Sequence, residues 1–139
     1  MNYLKKIDPY VFEELLLEAF VLKGYKIKRN GSYSGDGGID GIIYNEKGET
    51  ILIQAKRYKS FINTQHLRDF DLLTCRQRVK AGYFIHTGRT PASFRYVFSA
   101  DIQIISGSKL IDLVLMVSPK KNDFKSKDQI KQLWNLKNM

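Results

Sequence analysis

The sequence predicts an α/β domain in which a mixed sheet carries helices on both faces. Three observations lead to this fold class. The 139 residues suffice for one such domain but not for two ordinary ones. Segments with helical periodicity alternate with short apolar segments, in the order α-β-β-β-α-β-α-β-α. The first three strands follow one another directly, whereas the fourth comes after a helix, which favours an antiparallel meander joined to a parallel crossover.

The first half of the chain predicts one helix and the meander. Asp8 and Pro9 mark the start of the helix, which runs to about Lys23, and Gly24 ends it. Strands are expected at residues 25–29, 39–44 and 50–56, with a loop at 30–38 and a hairpin turn at 45–49.

The second half predicts alternating helices and strands. Asn63 or Thr64 caps a helix that runs to about Val79 with Leu67, Phe70, Leu72 and Leu73 inward, and a buried strand follows at 82–87. Thr90 and Pro91 start another helix to about Ser99, followed by a strand at 102–105 and a helix at 108–117. We therefore expect one domain over residues 1–118 and a basic segment over 119–139, either docked as a last helix or frayed.

Composition narrows the class of partner. The formal charge of +9 favours a polyanion, with nucleic acid first, although a lysine-rich composition by itself is the alternative explanation. The single Cys75 excludes an internal disulfide, and no apolar run reaches the length of a membrane span or a secretory signal. We expect a cytoplasmic protein with no membrane partner and no nucleotide cofactor.

Polar side chains with catalytic chemistry concentrate between Gly35 and Tyr58. In the third strand, Gln54 and Lys56 share one face because alternate side chains point the same way. A hairpin that turns at 45–48 brings Asp40 close to Gln54. Near Asp40, the chain lacks side chains at several positions and so leaves backbone room for a ligand; these positions are Gly37, Gly38 and Gly41.

A carboxylate, an amide oxygen and an ammonium group in this arrangement suit phosphodiester hydrolysis. Asp40, the Gln54 side-chain oxygen and the Ala55 carbonyl are oxygen ligands of the kind that Mg²⁺ prefers, with Mn²⁺ as the alternative ion. Lys56 would orient the attacking water and stabilise the charge that develops on phosphorus.

Glu13 on the first helix has two interpretations. Glu14 and Glu18 share a solvated edge of that helix, whereas Glu13 lies near Leu16 and Leu17. Its carboxylate is either partly buried and in need of a partner, or simply solvated at the helix edge.

Further polar residues are weaker candidates. Asp36 either binds the metal or only stabilises a turn. His66 and His86 are candidate bases, and neither has a Cys or His partner at the spacing of a zinc site. We expect His86 to lie near the sheet edge. Candidate contacts with the DNA backbone precede or flank the central stretch: Ser34, Arg57, Tyr58, Lys59 and Arg89.

These residues carry a resemblance to a known family. Asp40 followed by Gln54-Ala-Lys56 resembles the PD-(D/E)xK nuclease signature in its D…QxK form. The combination of Gly35-Asp-Gly-Gly-Ile-Asp40-Gly with Gln54-Ala-Lys-Arg-Tyr58 is similar to the catalytic domain of Mrr-type restriction endonucleases. Phe12-Glu13, Gly24-Tyr25 and Gly82-Tyr-Phe-Ile-His-Thr87 extend the similarity over roughly residues 8–115.

The resemblance implies a restriction-endonuclease-like fold and a Mg²⁺-dependent DNA endonuclease. We expect a homodimer, because cutting both strands with one site per chain calls for two chains. Asp40, Gln54 and Lys56 take the metal and catalytic positions, and Glu13 takes the acid of the first helix that supports the metal. Gln54 replaces the acid of the wider superfamily, as is usual in the Mrr-like branch. The alternatives are a structure-specific resolvase similar to the small Holliday-junction enzymes and a non-catalytic DNA-binding module.

Overall fold

A computed structural model describes residues 1–29 and 38–117 of the chain. Within these ranges the protein forms one five-stranded sheet with helices on both faces. The elements, in chain order, are α1 (Asn2–Lys6), α2 (Pro9–Leu22), β1 (Lys26–Arg29), β2 (Gly41–Tyr44), β3 (Thr50–Lys56), α3 (Thr64–Gln77), β4 (Ala81–His86), β5 (Ile102–Ile105) and α4 (Gly107–Val114).

The sheet has the predicted mixed topology. Its strands lie in the order β1-β2-β3-β4-β5, with β1, β2 and β3 antiparallel and β3, β4 and β5 parallel. The hairpin between β2 and β3 turns at Asn45, whose side chain accepts hydrogen bonds from the amides of Lys47 and Glu49, and Gly48 adopts the positive φ of 76° that the turn requires. The meander and the parallel crossover are therefore confirmed.

The two faces of the sheet carry separate apolar cores. On one face, α1, α2 and α4 pack against Ile51 and Ile53 of β3. On the other face, α3 and the segment between β4 and β5 pack against Leu52 and Phe84. Because β3 lies in the middle of the sheet, its side chains alternate between the two cores, and its carboxyl end is where the two layers meet.

The helix predicted between Thr90 and Ser99 is wrong. This segment has no helix, and its last amides, from Ser99 and Ala100, donate to the carboxylate of Asp71, which is fully buried on α3. The Tyr96 hydroxyl donates to the same carboxylate. A buried acceptor on a neighbouring helix thus satisfies backbone groups that a helix would otherwise satisfy internally.

Two smaller differences concern the helices. Helix α1 was not predicted, and Leu72 of α3 is exposed, not inward. No helix within residues 1–29 and 38–117 is long and apolar enough to cross a membrane. The predictions for Ser34, Asp36, Gly37 and the basic segment 119–139 concern residues outside the described ranges.

Candidate active site

The candidate site is built at the carboxyl end of β3 and the start of β2. Gly41 pairs with Ile53, and the Asp40 amide donates to the Ile53 carbonyl at 2.8 Å, so Asp40 lies next to Gln54 in the register. The Asp40 carboxylate accepts a hydrogen bond of 2.7 Å from the Ala55 amide. The predicted proximity of Asp40 and Gln54 follows from the hairpin register, as expected.

The Asp40 carboxylate lies against the side chain of Glu13 on α2. The two side chains are hydrogen-bonded to each other, and burial together with the charge of Asp40 raises the pKa of Glu13 to about 7. Burial also raises the pKa of Asp40, while the Ala55 amide, Glu13 and the Lys56 ammonium act in the opposite direction. Two carboxylates that share a proton in this way repel each other when both are ionised. Glu13 is therefore not a solvated helix-edge residue, since it lies against the carboxylate of the motif.

Gln54 is buried, and its amide is fixed beside the loop before β2. Its Nε2 donates to the Gly38 carbonyl at 3.1 Å, which turns the amide oxygen away from Gly38. A Cβ at Gly38 would lie 2.3 Å from this nitrogen, and one at Gly41 would lie 2.9 Å from the Leu17 side chain. The expectation that these glycines leave room for a ligand is therefore wrong for Gly38 and Gly41, because protein side chains occupy the space.

Lys56 ends β3 on the same face as Leu52 and Gln54. Burial and the Lys56 charge lower the pKa of the His66 imidazole. The same charge opposes the rise that burial causes in the pKa of Asp40, so the ammonium lies within electrostatic reach of both layers. Its neighbour across the sheet, His86, is fully buried on β4 and is not near the sheet edge. Burial lowers the pKa of His86 to about 4, and its Nδ1 accepts from the Gly88 amide. His86 is thus a neutral core residue with no solvent access to serve as a base.

The predicted DNA contacts fall into two groups. Lys59 and Arg89 are exposed, on two loops joined by hydrogen bonds between residues 60–62 and the backbone of Arg89. Arg57 instead donates hydrogen bonds from Nη1 to the Ile7 carbonyl at 2.6 Å and to the Lys5 carbonyl at 3.3 Å. Arg57 therefore holds the end of α1 to the end of β3.

Tyr58 belongs to a hydrogen-bonded group that the sequence analysis missed. Its hydroxyl lies 2.7 Å from His66 Nδ1, and its backbone amide and carbonyl both bond to the Thr87 hydroxyl. The resemblance covers the stretch through Thr87, but only the parallel pairing of β3 with β4 brings Thr87 to Tyr58.

The donor set at this end of β3 fits a divalent cation. Within the described ranges no three His, Cys, Asp or Glu side chains come together, so the acidic part of the set is the pair Glu13 and Asp40. A cation relieves the repulsion that raises the pKa of Glu13, and carboxylate oxygens suit Mg²⁺. The Ala55 amide already faces Asp40, and the carbonyl of a strand residue lies on the same side as its amide. Gln54 adds an amide oxygen.

The mixed sheet, with a carboxylate pair, an amide and a lysine at the end of its central strand, defines a nuclease-type domain of the restriction-endonuclease-like class. Residues 4–114 match a family model described as a restriction endonuclease, that of the Mrr catalytic domain. The chain therefore belongs to the family of Mrr-type nuclease catalytic domains.

One curated relative supports the same assignment. The chain is 31% identical over 124 residues to the Type IV methyl-directed restriction enzyme EcoKMrr of Escherichia coli (strain K12). The alignment covers 83% of this chain and 40% of that enzyme, so the chain spans less than half the length of this relative.

Proposed function

We propose that this domain is a metal-dependent DNA endonuclease that hydrolyses phosphodiester bonds. The observation that carries the proposal is the proton-sharing pair of Glu13 and Asp40 beside Lys56 at the end of β3. Membership of the restriction endonuclease family supports the reaction class, and the net charge of +9 supports a polyanionic substrate.

The residues of the chain divide the chemistry between them. Glu13 and Asp40 supply two carboxylates on the α2 side, and the Ala55 amide holds Asp40 in place. The Lys56 ammonium orients the attacking water by hydrogen bonding and stabilises the negative charge that develops on the phosphate oxygens. Gln54 is anchored through Nε2, so that its oxygen is presented by a rigid amide.

Mg²⁺, with Mn²⁺ as the alternative, is the cation that we propose for the site. When bound, it supplies Lewis-acid activation of the phosphate and of water. Glu13, Asp40, the Gln54 side chain and the Ala55 carbonyl would hold it. Among the described residues the site carries two carboxylates, so we expect a weaker metal affinity than a site with a third acid would have.

The substrate that we propose is duplex DNA, with methylated DNA as the first form to test. The name of the relative from Escherichia coli describes that enzyme as methyl-directed, and the chain spans 40% of its length. We further propose a homodimer, because one site per chain cuts one strand and two-fold symmetry supplies the second cut. A cytoplasmic location, where DNA is accessible, completes the proposal.

The decisive comparison uses Asp40→Asn and a matched control. Asparagine keeps an oxygen that can accept from the Ala55 amide, so the fold should persist while the negative charge is lost. Asp112→Asn makes the same chemical change at an exposed position of α4. We expect wild type and Asp112→Asn to cut DNA in Mg²⁺ and Asp40→Asn to lose at least about 100-fold in rate.

The substrate panel consists of methylated, unmethylated, single-stranded and four-way-junction DNA. Preferential cutting of the junction would move the assignment to a structure-specific resolvase. Salt-dependent DNA binding without cleavage of any substrate in Mg²⁺ or Mn²⁺ would leave a DNA-binding module. Cleavage by Asp40→Asn at the wild-type rate would refute the role of the carboxylate pair.

A further inference from the structure

The hydrogen-bonded group around Tyr58 lies beside the proposed site on the α3 side of the sheet. Tyr58 follows Lys56 by two residues, and His66 lies in the first turn of α3. The Tyr58 hydroxyl and His66 Nδ1 are 2.7 Å apart, and the two rings stack with centroids 5.9 Å apart. The imidazole is therefore held in one orientation by a short hydrogen bond and a ring contact.

The donor in the hydrogen bond between Tyr58 and His66 depends on which imidazole nitrogen carries the proton. Burial raises the pKa of the Tyr58 phenol, against a smaller opposing effect of the Asn63 backbone amide, so the hydroxyl keeps its proton. In the tautomer that we assign, the protonated hydroxyl donates to His66 Nδ1. The neutral imidazole then carries its own proton on Nε2.

Burial, together with the Lys56 ammonium, favours the neutral form of His66. Burial and the Lys56 ammonium lower the pKa of the imidazole, and the opposing effect of Asp69 is smaller. Asp69 also accepts a hydrogen bond of 2.8 Å from the Gln65 side chain on the same helix. A neutral N–H donor beside an ammonium group is suited to an anion, because both groups donate and neither brings negative charge.

The hydrogen bond between Tyr58 and His66 is not needed to hold the end of β3 in place. The end of β3 is already held by the Thr87 hydroxyl, which bonds to the amide of Tyr58 at 2.8 Å and to its carbonyl at 3.0 Å. The ring of Tyr58 also contacts the buried ring of His86 edge-on. The bond from Tyr58 to the partly exposed His66 is therefore an addition to an anchored strand end, and it determines the orientation of an imidazole close to Lys56.

We propose that Tyr58 and His66 form a neutral phosphate clamp, in which the Tyr58 hydroxyl positions the imidazole and His66 Nε2–H donates to a DNA backbone phosphate next to the one that is cleaved. The inference rests on the proposed nuclease function. His66 contacts the substrate and Tyr58 is a positioning residue. The clamp holds the DNA strand so that the scissile phosphate lies at Lys56.

The test measures DNA binding without divalent metal and cleavage with Mg²⁺. Four single variants are compared with wild type: His66→Ala, His66→Gln, Tyr58→Phe and Lys59→Ala. We expect His66→Ala to weaken binding and raise KM at least about tenfold, because a hydrogen bond to a charged group is lost, with a smaller change in kcat. His66→Gln keeps an N–H donor and should stay within about threefold of wild type, and Tyr58→Phe should fall between the two.

The salt dependence of binding separates this clamp from an ordinary basic contact. A neutral donor releases no counterion, so His66→Ala should keep the wild-type slope of log Kd against log salt concentration. Lys59→Ala, the matched loss of an exposed cation, should reduce that slope by about one. A purely structural role would instead show as a fall in Tm that parallels the loss of binding, and we expect His66→Ala and Tyr58→Phe to keep Tm within a few degrees of wild type.

Each outcome decides the proposal. Wild-type affinity and KM in His66→Ala overturn the clamp, and so does a loss of binding that His66→Gln fails to restore or that tracks Tm. If wild type binds DNA but cuts none of the substrates, the nuclease function fails and the binding comparison still decides the clamp. If wild type shows no salt-dependent DNA binding, both proposals fall together.

Discussion

In the absence of metal, we predict that the stabilisation contributed by the Glu13 and Asp40 pair is lost as the pH rises through neutrality. The native protein holds a proton on Glu13 up to a pKa of about 7, whereas the unfolded chain loses it near 4.5. Between these values the native state binds the additional proton, so the free energy of unfolding falls as the pH rises. The stabilisation is fully present below pH 4.5 and is lost above about pH 7.

The magnitude follows from the width of this window. Each pH unit between the pKa values of the unfolded and native states lowers the free energy of unfolding by up to about 1.4 kcal/mol. Because Glu13 is partly exposed, solvent screening reduces the total, and we expect a loss of about 1–2 kcal/mol between pH 5 and pH 8. Glu13→Gln removes this contribution. The buried, neutral His86 acts in the opposite direction in both proteins, because its pKa of about 4 in the native state lies below the ordinary value of 6.5. The free energy of unfolding of Glu13→Gln minus that of wild type should therefore rise by about 1–2 kcal/mol from pH 5 to pH 8.

Urea denaturation at pH 5, 6.5 and 8 in EDTA measures this effect directly. Glu14→Gln is the matched control, since it makes the same change one residue away and removes a surface ion pair with Arg29. This variant should keep most of the wild-type dependence on pH. Parallel pH profiles for wild type and Glu13→Gln would refute the reasoning, because no proton would then be shared between the two carboxylates. Addition of Mg²⁺ should stabilise wild type more at pH 8 than at pH 5, since the bound cation replaces the proton.

Four further substitutions test the surroundings of the site and the packing of the fold. Gly38→Ala places a methyl group on Gln54 Nε2 at a residue with φ of 82°, so we expect a loss of about 1–3 kcal/mol by urea denaturation and reduced cleavage. Asp71→Asn loses acceptor capacity for three partly buried hydrogen bonds and should cost about 2–3 kcal/mol, against about 1 kcal/mol for Tyr96→Phe. Arg57→Ala frees the carbonyl groups at the end of α1, and we expect faster hydrogen exchange in residues 2–8 with little change in α3. Equal exchange in wild type and Arg57→Ala would contradict that anchoring role.

The local signals in the sequence predicted most of the sheet. Strand β3 was predicted at its observed bounds, and the hairpin at Asn45 to Glu49 and the helix stop at Gly24 were also confirmed. These features depend on residues close together in the chain: turn residues, caps and alternating apolar positions. The proximity of Asp40 to Gln54 followed from them, because the hairpin register alone determines it.

The errors occur where a distant residue decides the local structure. Residues 90–99 carry a helix start signal, but the buried carboxylate of Asp71 accepts from Ser99 and Ala100 and makes an irregular backbone stable. Gly38 and Gly41 suggested space for a ligand, whereas the side chains that fill this space come from β3 and α2. In each case the sequence identified an unusual position, and the packing partner that explains it lies on another element.

The location of the proposed site follows from the position of β3 between two helical layers. The α2 side supplies the carboxylates Glu13 and Asp40, which attract a cation, and the α3 side supplies the donors Lys56 and His66, which attract an anion. Lys56 affects the pKa of both Asp40 and His66, so its ammonium connects the two sets. We therefore expect a metal and a phosphate to be held next to one another at the end of β3. The amide of Gln54, anchored at the same strand end, makes this the point at which we expect both to be held.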